Sequence, residues 1–74
     1  SDRKLTSKLY GIYLAHTSYL KGVYAADILQ GIGLEAVRQT FIATKRKPIR
    51  NLAGYYNGVL DRMLDRLFAA RFDD

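Results

Sequence analysis

The strongest constraint on the fold is a helical repeat of apolar side chains in the last third of the chain. Over residues 49–72 the apolar positions recur every three or four residues, a spacing that places them on one face of an α-helix. The stripe consists of Leu52, Tyr55, Tyr56, Val59, Leu60, Met63, Leu64, Leu67 and Phe68. It is wider than one packing contact requires, so we expect this helix to fill the centre of a bundle or to keep part of its face for a partner.

The rest of the chain has the same helical texture and lacks the alternation of a β-strand. We predict three earlier helices, over roughly residues 5–16, 19–30 and 34–45, and Gly22 leaves open a division of the second stretch into a short turn and a helix from Val23. Thr17 and Ser18 are candidate N-caps for the second helix. Gly31 and Gly33 are expected to end it, since glycine tolerates the left-handed conformation that closes a helix. The predicted fold class is therefore all-α, a compact bundle of four to five short helices.

The third and fourth predicted helices are separated by a polar connector that contains the only proline. Pro48 suits the first turn of the helix that follows. The third helix is expected to bury Leu34, Val37, Phe41 and Ile42. In the fourth helix, Leu60 and Leu67 are predicted core residues.

Length and cysteine content limit how such a bundle is stabilised. The chain has 74 residues and no cysteine, so we expect a single domain without disulfides or thiolate metal sites. A chain of this size buries only about 60% of its unfolded surface, so packing is marginal, with a partner or neighbouring domain as a further source of stability. Because it starts at Ser1, we interpret it as a domain cut from a longer protein or as carrying a tag remnant.

The charge balance predicts an acidic binding partner. The net charge is +5 and the pI is near 9.8, values typical of chains that bind nucleic acid, anionic membrane surfaces or acidic protein faces. No apolar run approaches the roughly 20 residues that a membrane-spanning helix needs, and the charged N-terminus does not resemble a signal peptide. We therefore predict a cytoplasmic protein that does not act in a membrane.

Catalysis has little support in the sequence. His16 is the only histidine, and no nucleophile–base–acid set can be argued from spacing. Asp61 and Asp65 share a helix face, but Arg62 and Arg66 accompany them at the same spacing. These four residues are better interpreted as a solvated charge ladder than as a metal site or an acid–base pair. No glycine-rich phosphate loop is present. We predict a protein that is not an enzyme and uses no cofactor or metal.

A basic cluster is the clearest candidate binding site. Five cations fall within thirteen residues that contain no acid, and these are Arg38, Lys45, Arg46, Lys47 and Arg50. Four of them flank Pro48, next to the N-terminus of the last predicted helix, whose dipole and free N–H groups also favour anions. The cluster predicts a phosphate cradle with salt-dependent affinity. The alternative is a connector that is charged only because it is solvated, and both interpretations stay open.

Two further features are candidate partner surfaces. Among six tyrosines, Tyr10 and Tyr19 flank lysines and are the ones expected to be exposed, where a base or a partner could stack on them. Gly54 and Gly58 lie four residues apart in the last predicted helix, at a cost of about 1 kcal/mol each relative to alanine. They indicate either close backbone packing inside the domain or a smooth face for a ligand or partner.

The segment at residues 48–64, PIRNLAGYYNGVLDRML, resembles the end of the DnaD-like domain of replication-initiation proteins. It is also similar to the C-terminal domains of RepA-type plasmid and phage replication initiators from Gram-positive bacteria. In that family a helix and a short basic loop precede a helix with a tyrosine, an aliphatic residue four positions later and a tryptophan four positions later again. The corresponding residues are Tyr55, Val59 and Met63, with methionine in place of the tryptophan.

The resemblance implies a DnaD-like helical bundle from the C-terminal part of a longer replication protein. Such domains help to assemble the initiation or restart machinery: they bind DNA, self-associate and contact primosome proteins such as primase or the helicase loader. They are not enzymes. Three interpretations remain open: a domain that docks a primosome protein, a DNA-binding accessory domain that uses the basic cluster, and a helical regulatory protein unrelated to replication.

Overall fold

The fold is an arrangement of three α-helices. A computed structural model describes residues 2–72, in which α1 spans Asp2–Thr17, α2 spans Ala26–Thr44 and α3 spans Leu52–Ala70. A short 3-10 turn, Ser18–Leu20, follows α1. The described part of the chain contains no β-strand, which confirms the all-α class. The expected number of four to five helices is wrong, because two predicted helices are one.

The prediction that Gly31 and Gly33 separate two helices is wrong. Gly31 and Gly33 lie inside α2, and neither has the positive φ of a helix terminator. Glycine permits a helix to end but does not require it, and here the flanking residues continue the helical backbone. Thr17 is likewise not an N-cap side chain for the next helix. Its hydroxyl donates to the Tyr13 carbonyl, one turn back in α1, at 2.7 Å.

The third helix is the centre of the molecule. Both α1 and α2 pack mainly on α3, and they contact each other much less. Most of the buried apolar core comes from α3, which supplies Ala53, Tyr56, Val59, Leu60 and Leu64. Leu60 has no exposed surface, which confirms its assignment to the core. Leu67 is only half-buried, so its assignment to the core is wrong.

Small side chains form the buried face of α2. After Leu29, the buried positions of this helix are Gly33, Ala36, Thr40 and Ala43, at helical spacing. The Thr40 hydroxyl donates to the Ala36 carbonyl at 2.8 Å, so this buried polar group is satisfied. Small residues let two helices approach closely, and larger side chains then lie at the flanks of the contact. The expected burial of Leu34 and Phe41 is therefore wrong, since these residues are 71% and 41% exposed.

Two contacts fix α1 against its neighbours. A Cβ atom on Gly33 would lie 2.6 Å from Cδ1 of Tyr13, so the tyrosine ring lies directly on the α2 backbone. Nε2 of His16, in the last turn of α1, lies 2.7 Å from Oδ1 of Asn57 in α3, within hydrogen-bond distance. The sole histidine therefore has a structural contact in this fold.

The last helix begins later than expected. Asn51 is its N-cap, and Oδ1 of this residue accepts a hydrogen bond from the Gly54 N–H at 2.8 Å. Pro48 consequently lies in the exposed connector and not in the first turn. Within residues 2–72, none of the helices is both long and apolar enough to cross a bilayer.

Candidate functional site

An apolar groove of about 700 Å³ runs between α1 and α2. Apolar side chains from all three helices line it. From α1 these are Leu5, Leu9, Tyr10 and Tyr13; from α2 they are Leu34, Val37 and Phe41, beside Gly33; and Tyr56 of α3 also contributes. The polar lining residues are Asp2, Thr6 and Gln30. We call this feature the α1–α2 groove.

The groove follows from the way the helices pack. The small face of α2 lies in the core shared with α3, so its larger residues project beside the contact. The ring of Tyr13 on Gly33 is a close contact between α1 and α2, whereas the backbones of these two helices approach each other much less than each approaches α3. Tyr10, Leu34 and Phe41 consequently remain 61%, 71% and 41% exposed around the opening.

Three tyrosine rings form part of the apolar lining of the groove. The Tyr10 and Tyr13 rings stack with centroids 6.3 Å apart and an interplanar angle of 20°. Tyr56 is 2% exposed. Burial raises the pKa of its hydroxyl above the ordinary value, and the charge of a Tyr13 phenolate would raise it further. The Tyr56 hydroxyl is therefore uncharged at neutral pH, and this residue presents no charge to a molecule in the groove.

Four of the five predicted cations lie together on the connector between α2 and α3. Lys45, Arg46, Lys47 and Arg50 are all exposed, and no described acidic group lies within 4.0 Å of any of them. The Lys47 ammonium is 5.3 Å from the ring centroid of Tyr55, a cation–π contact that holds one of these cations at the start of α3. We call these four residues the basic connector.

The fifth predicted cation is already paired. Arg38 makes two hydrogen bonds of 2.8 Å to the carboxylate of Glu35, one turn earlier in α2. These bonds, with a further one from Gln39, lower the pKa of Glu35 from 4.5 to about 2. Arg38 is therefore partly neutralised, whereas the four cations of the basic connector have no such carboxylate partner among the described residues.

The N-terminus of α3 offers less to an anion than the sequence suggested. Asn51 occupies the Gly54 N–H, which is one of the groups that a phosphate would need. The Asn51 side chain also explains why residue 54, a predicted surface glycine, has no side chain. A Cβ on Gly54 would lie 2.7 Å from Nδ2 of Asn51, so Gly54 leaves room for the cap.

The other candidate surface residues are distributed differently from the expectation. Among the described residues, the one neighbour given within 4 Å of a Cβ on Gly58 is Nη1 of Arg62, so no other described helix packs closely against this position. The glycine that admits a close neighbour is Gly33. Tyr10 and Tyr19 are both exposed, as predicted, but only Tyr10 lines the α1–α2 groove.

The residues of the family-like motif contribute to packing. Val59 is buried in the core, and Tyr55 and Met63 are partly buried against it. Asp61, Arg62, Asp65 and Arg66 are exposed, as predicted, and no ion pair within 4.0 Å joins them. The part of the chain that the structure describes holds no group of three or more histidine, cysteine or acidic residues placed to bind a metal ion.

Sequence reasoning missed the groove because it treated Leu34 and Phe41 as core residues. A signal for the exposure of these two residues, though not for the groove itself, was present. In one continuous helix, Gly33, Ala36, Thr40 and Ala43 form a small-residue face, and the large apolar side chains fall beside it. Comparison of the chain with protein-family models, curated proteins and solved structures finds no match.

Proposed function

We propose that this domain is a non-catalytic docking module whose α1–α2 groove receives an apolar segment of a partner protein. The observation that carries the proposal is the groove itself, in which exposed Tyr10, Leu34 and Phe41 surround an apolar lining. Contiguous exposed apolar surface on a small domain is typical of interaction sites, because leaving it in water is unfavourable.

The resemblance at residues 48–64 supports a role for this module in DNA replication initiation. On that basis the partner is a primosome protein, either primase or the helicase loader, and the site of action is the cytoplasm. Self-association, which also occurs in DnaD-like proteins, would compete for the same exposed apolar residues.

Binding to purified primase and purified helicase loader tests the proposal. Isothermal titration calorimetry should detect binding of one of the two to the chain. Leu34→Glu should weaken that binding at least tenfold, which is about 1.4 kcal/mol, because it places a charge at the apolar rim. Phe68→Glu is the matched control, since Phe68 is an exposed aromatic residue outside the groove.

Each component of the proposal can fail separately. Binding of neither protein would remove the primosome assignment. Binding that Leu34→Glu and Phe68→Glu weaken equally would remove the groove as the docking site.

DNA binding by the basic connector is the second candidate function. It is favoured by Lys45, Arg46, Lys47 and Arg50, which present four exposed cations without an acidic partner within 4.0 Å in the described part of the chain. Such a surface would bind the phosphate backbone without base specificity.

A further inference from the structure

We infer that the occupant of the α1–α2 groove is an amphipathic α-helix of the partner protein, apolar on the face that enters the groove and acidic along its flanks. This inference rests on the proposed docking function and specifies the chemistry of the partner. It follows from the shape of the groove, from its lack of hydrogen-bonding groups and from the charges around it.

The dimensions of the groove suit a short helix. Its lining extends from Asp2 to Tyr13 on α1 and from Gln30 to Phe41 on α2. At 1.5 Å per residue each stretch is roughly 17 Å long, which is about three helical turns. A helix lying there would contact both walls and become the fourth helix of the bundle. Its anchors would be apolar residues at positions i, i+3 or i+4, and i+7.

The polarity of the groove favours a helix over an extended peptide. An extended segment leaves its N–H and C=O groups unpaired, and these groups need partners when they are buried. The lining offers few polar side chains, and the described residues include no strand edge to which a peptide could add. A helix satisfies its own backbone and needs only an apolar surface.

Exposed cations lie close in sequence to the rim residues of both walls. Arg38 of α2 follows the rim residue Leu34 by one helical turn, Lys45 follows Phe41 at the same spacing just after α2 ends, and on α1 Arg3 precedes Tyr10 by two turns. Two carboxylates offset part of this charge. Glu35 forms a salt bridge with Arg38, and Asp2, which lines the groove, is next to Arg3 and near Lys4 in sequence. The balance is positive, most strongly at the Phe41 end, where α2 leads into the basic connector. Carboxylates on the flanks of a bound helix would therefore be attracted to the rim.

The same charges disfavour a second copy of the chain as the occupant. Each copy carries a net charge of +5, and a two-fold interface would bring two cationic rims together. An acidic helix has the opposite charge.

Two synthetic helices with identical apolar anchors provide the test. Both are roughly 18 residues long, since shorter helices are marginal in water. One carries glutamate and the other lysine at the flanking positions, and each has a fluorescent label. In anisotropy titrations the glutamate peptide should bind at least tenfold more tightly at low salt, and the difference should shrink as salt screens the rim.

Variants of the chain locate the bound peptide. Phe41→Ala should weaken binding of the glutamate peptide severalfold, whereas Phe68→Ala, which removes an exposed phenylalanine outside the groove, should not. Lys45→Glu should reduce the preference for the glutamate peptide, and methyl resonances of Leu34 and Val37 should shift on binding.

Three results would overturn the inference, and each can be told apart from a failure of the proposed docking function. Equal binding of both peptides would remove the acidic requirement. If neither peptide binds while a primosome protein binds in a Leu34-dependent way, the groove is the docking site but its occupant is not such a helix. A dimer in sedimentation equilibrium that Leu34→Glu dissociates would show that a second copy is the occupant.

Discussion

Leu60 is a fully buried residue of the central helix, where its side chain belongs to the core cluster shared with α1 and α2. Leu60→Ala should lower the free energy of unfolding by about 2–5 kcal/mol, since it removes buried methyl groups and leaves a cavity. The total stability of a domain this small is about 5 kcal/mol. Thermal unfolding followed by circular dichroism measures the loss.

Leu67→Ala is the matched control for Leu60→Ala, because Leu67 is half-buried on the same helix. Leu67→Ala should lower the free energy of unfolding by less than half as much as Leu60→Ala. An equal loss in the two variants would contradict the packing of α3 described above.

Glu35 should titrate at an unusually low pH. The hydrogen bonds from Arg38 and Gln39 favour its ionised form and lower its pKa from 4.5 to about 2. Because the pKa is lower in the folded state, the interaction favours folding at neutral pH and is lost as the pH falls from 4.5 towards about 2. The side-chain carboxyl carbon of Glu35, followed by NMR, reports the midpoint.

Arg38→Gln should return the Glu35 midpoint towards its ordinary value, while Arg66→Gln should leave it unchanged. An ordinary midpoint in the unaltered chain would show that Arg38 is not held by Glu35. Arg38 would then be free to bind an anion together with the basic connector.

Periodicity predicted the burial of individual residues where one helix face meets one neighbour. Leu60 and Tyr56 are buried and Tyr10 and Tyr19 are exposed, as expected. Hydropathy misassigned Leu34 and Phe41, because it ranks leucine and phenylalanine above alanine and threonine as core residues. The position of α2 is set instead by Ala36 and Thr40, whose small size permits close approach.

At the scale of elements, α2 shows why the helix count failed. A glycine pair is compatible both with a helix end and with a close contact, and only the partner helix decides between them. Here Gly33 receives the Tyr13 ring, whereas a Cβ on Gly31 would have no neighbour within 4 Å. The two glycines have the same local sequence signal and different reasons to be present.

Alanine substitutions at these two glycines should have opposite effects on stability. Gly31→Ala should stabilise the domain by up to about 1 kcal/mol, since alanine is the better helix former and the site is open. Gly33→Ala should destabilise it, because the new Cβ would lie 2.6 Å from the Tyr13 ring. Chemical denaturation gives both values.

Equal stabilisation by Gly31→Ala and Gly33→Ala would show that Tyr13 moves away at little cost. Destabilisation by both would indicate that α2 is interrupted at the glycines.

The basic connector is the element that should carry any contact with DNA. Contacts by three or four of its cations would give a slope of about −3 for log affinity against log salt. Lys45, Arg46 and Lys47 changed together to glutamate should abolish binding and leave the fold intact, because all three side chains are exposed. Fluorescence anisotropy with duplex DNA at several salt concentrations provides the measurement.

The matched control for the connector variant changes Lys4, Lys8 and Arg62 to glutamate, which alters the net charge equally at exposed sites elsewhere. It should retain at least part of the binding. If the two triple variants bind equally, the DNA site lies outside the connector. If the unaltered chain does not bind at low salt, the connector is at most a rim for an acidic protein.

At the scale of the whole molecule, the central position of α3 was predictable and the groove was not. The stripe of residues 52–68 is wider than one packing contact requires, so a central position was one of the two arrangements that this single segment predicted. The groove depends on the spacing between α1 and α2, and that spacing is set by their separate contacts with α3. No single segment contains this information.

Hydrogen exchange should show that α3 is the most protected helix. Amides in the middle of α3, near Tyr56 and Leu60, should be the most protected, because exposing them requires both other helices to leave. Amides at the start of α1, near Arg3 and Lys4, should exchange fastest among the helical residues. Native-state exchange by NMR measures these rates, and greater protection in α1 than in α3 would contradict the arrangement.

The separate attachment of α1 and α2 to α3 also determines how sequence changes combine. Residues that share no contacts usually contribute additively to stability. Substitutions in α1 and in α2 should therefore add where the residues share no contact, but not at a pair such as Tyr13 and Gly33, where the two helices meet. Each wall of the groove can then diverge without compensating changes in the other, so the partner preference of this domain can evolve while α3 preserves the fold.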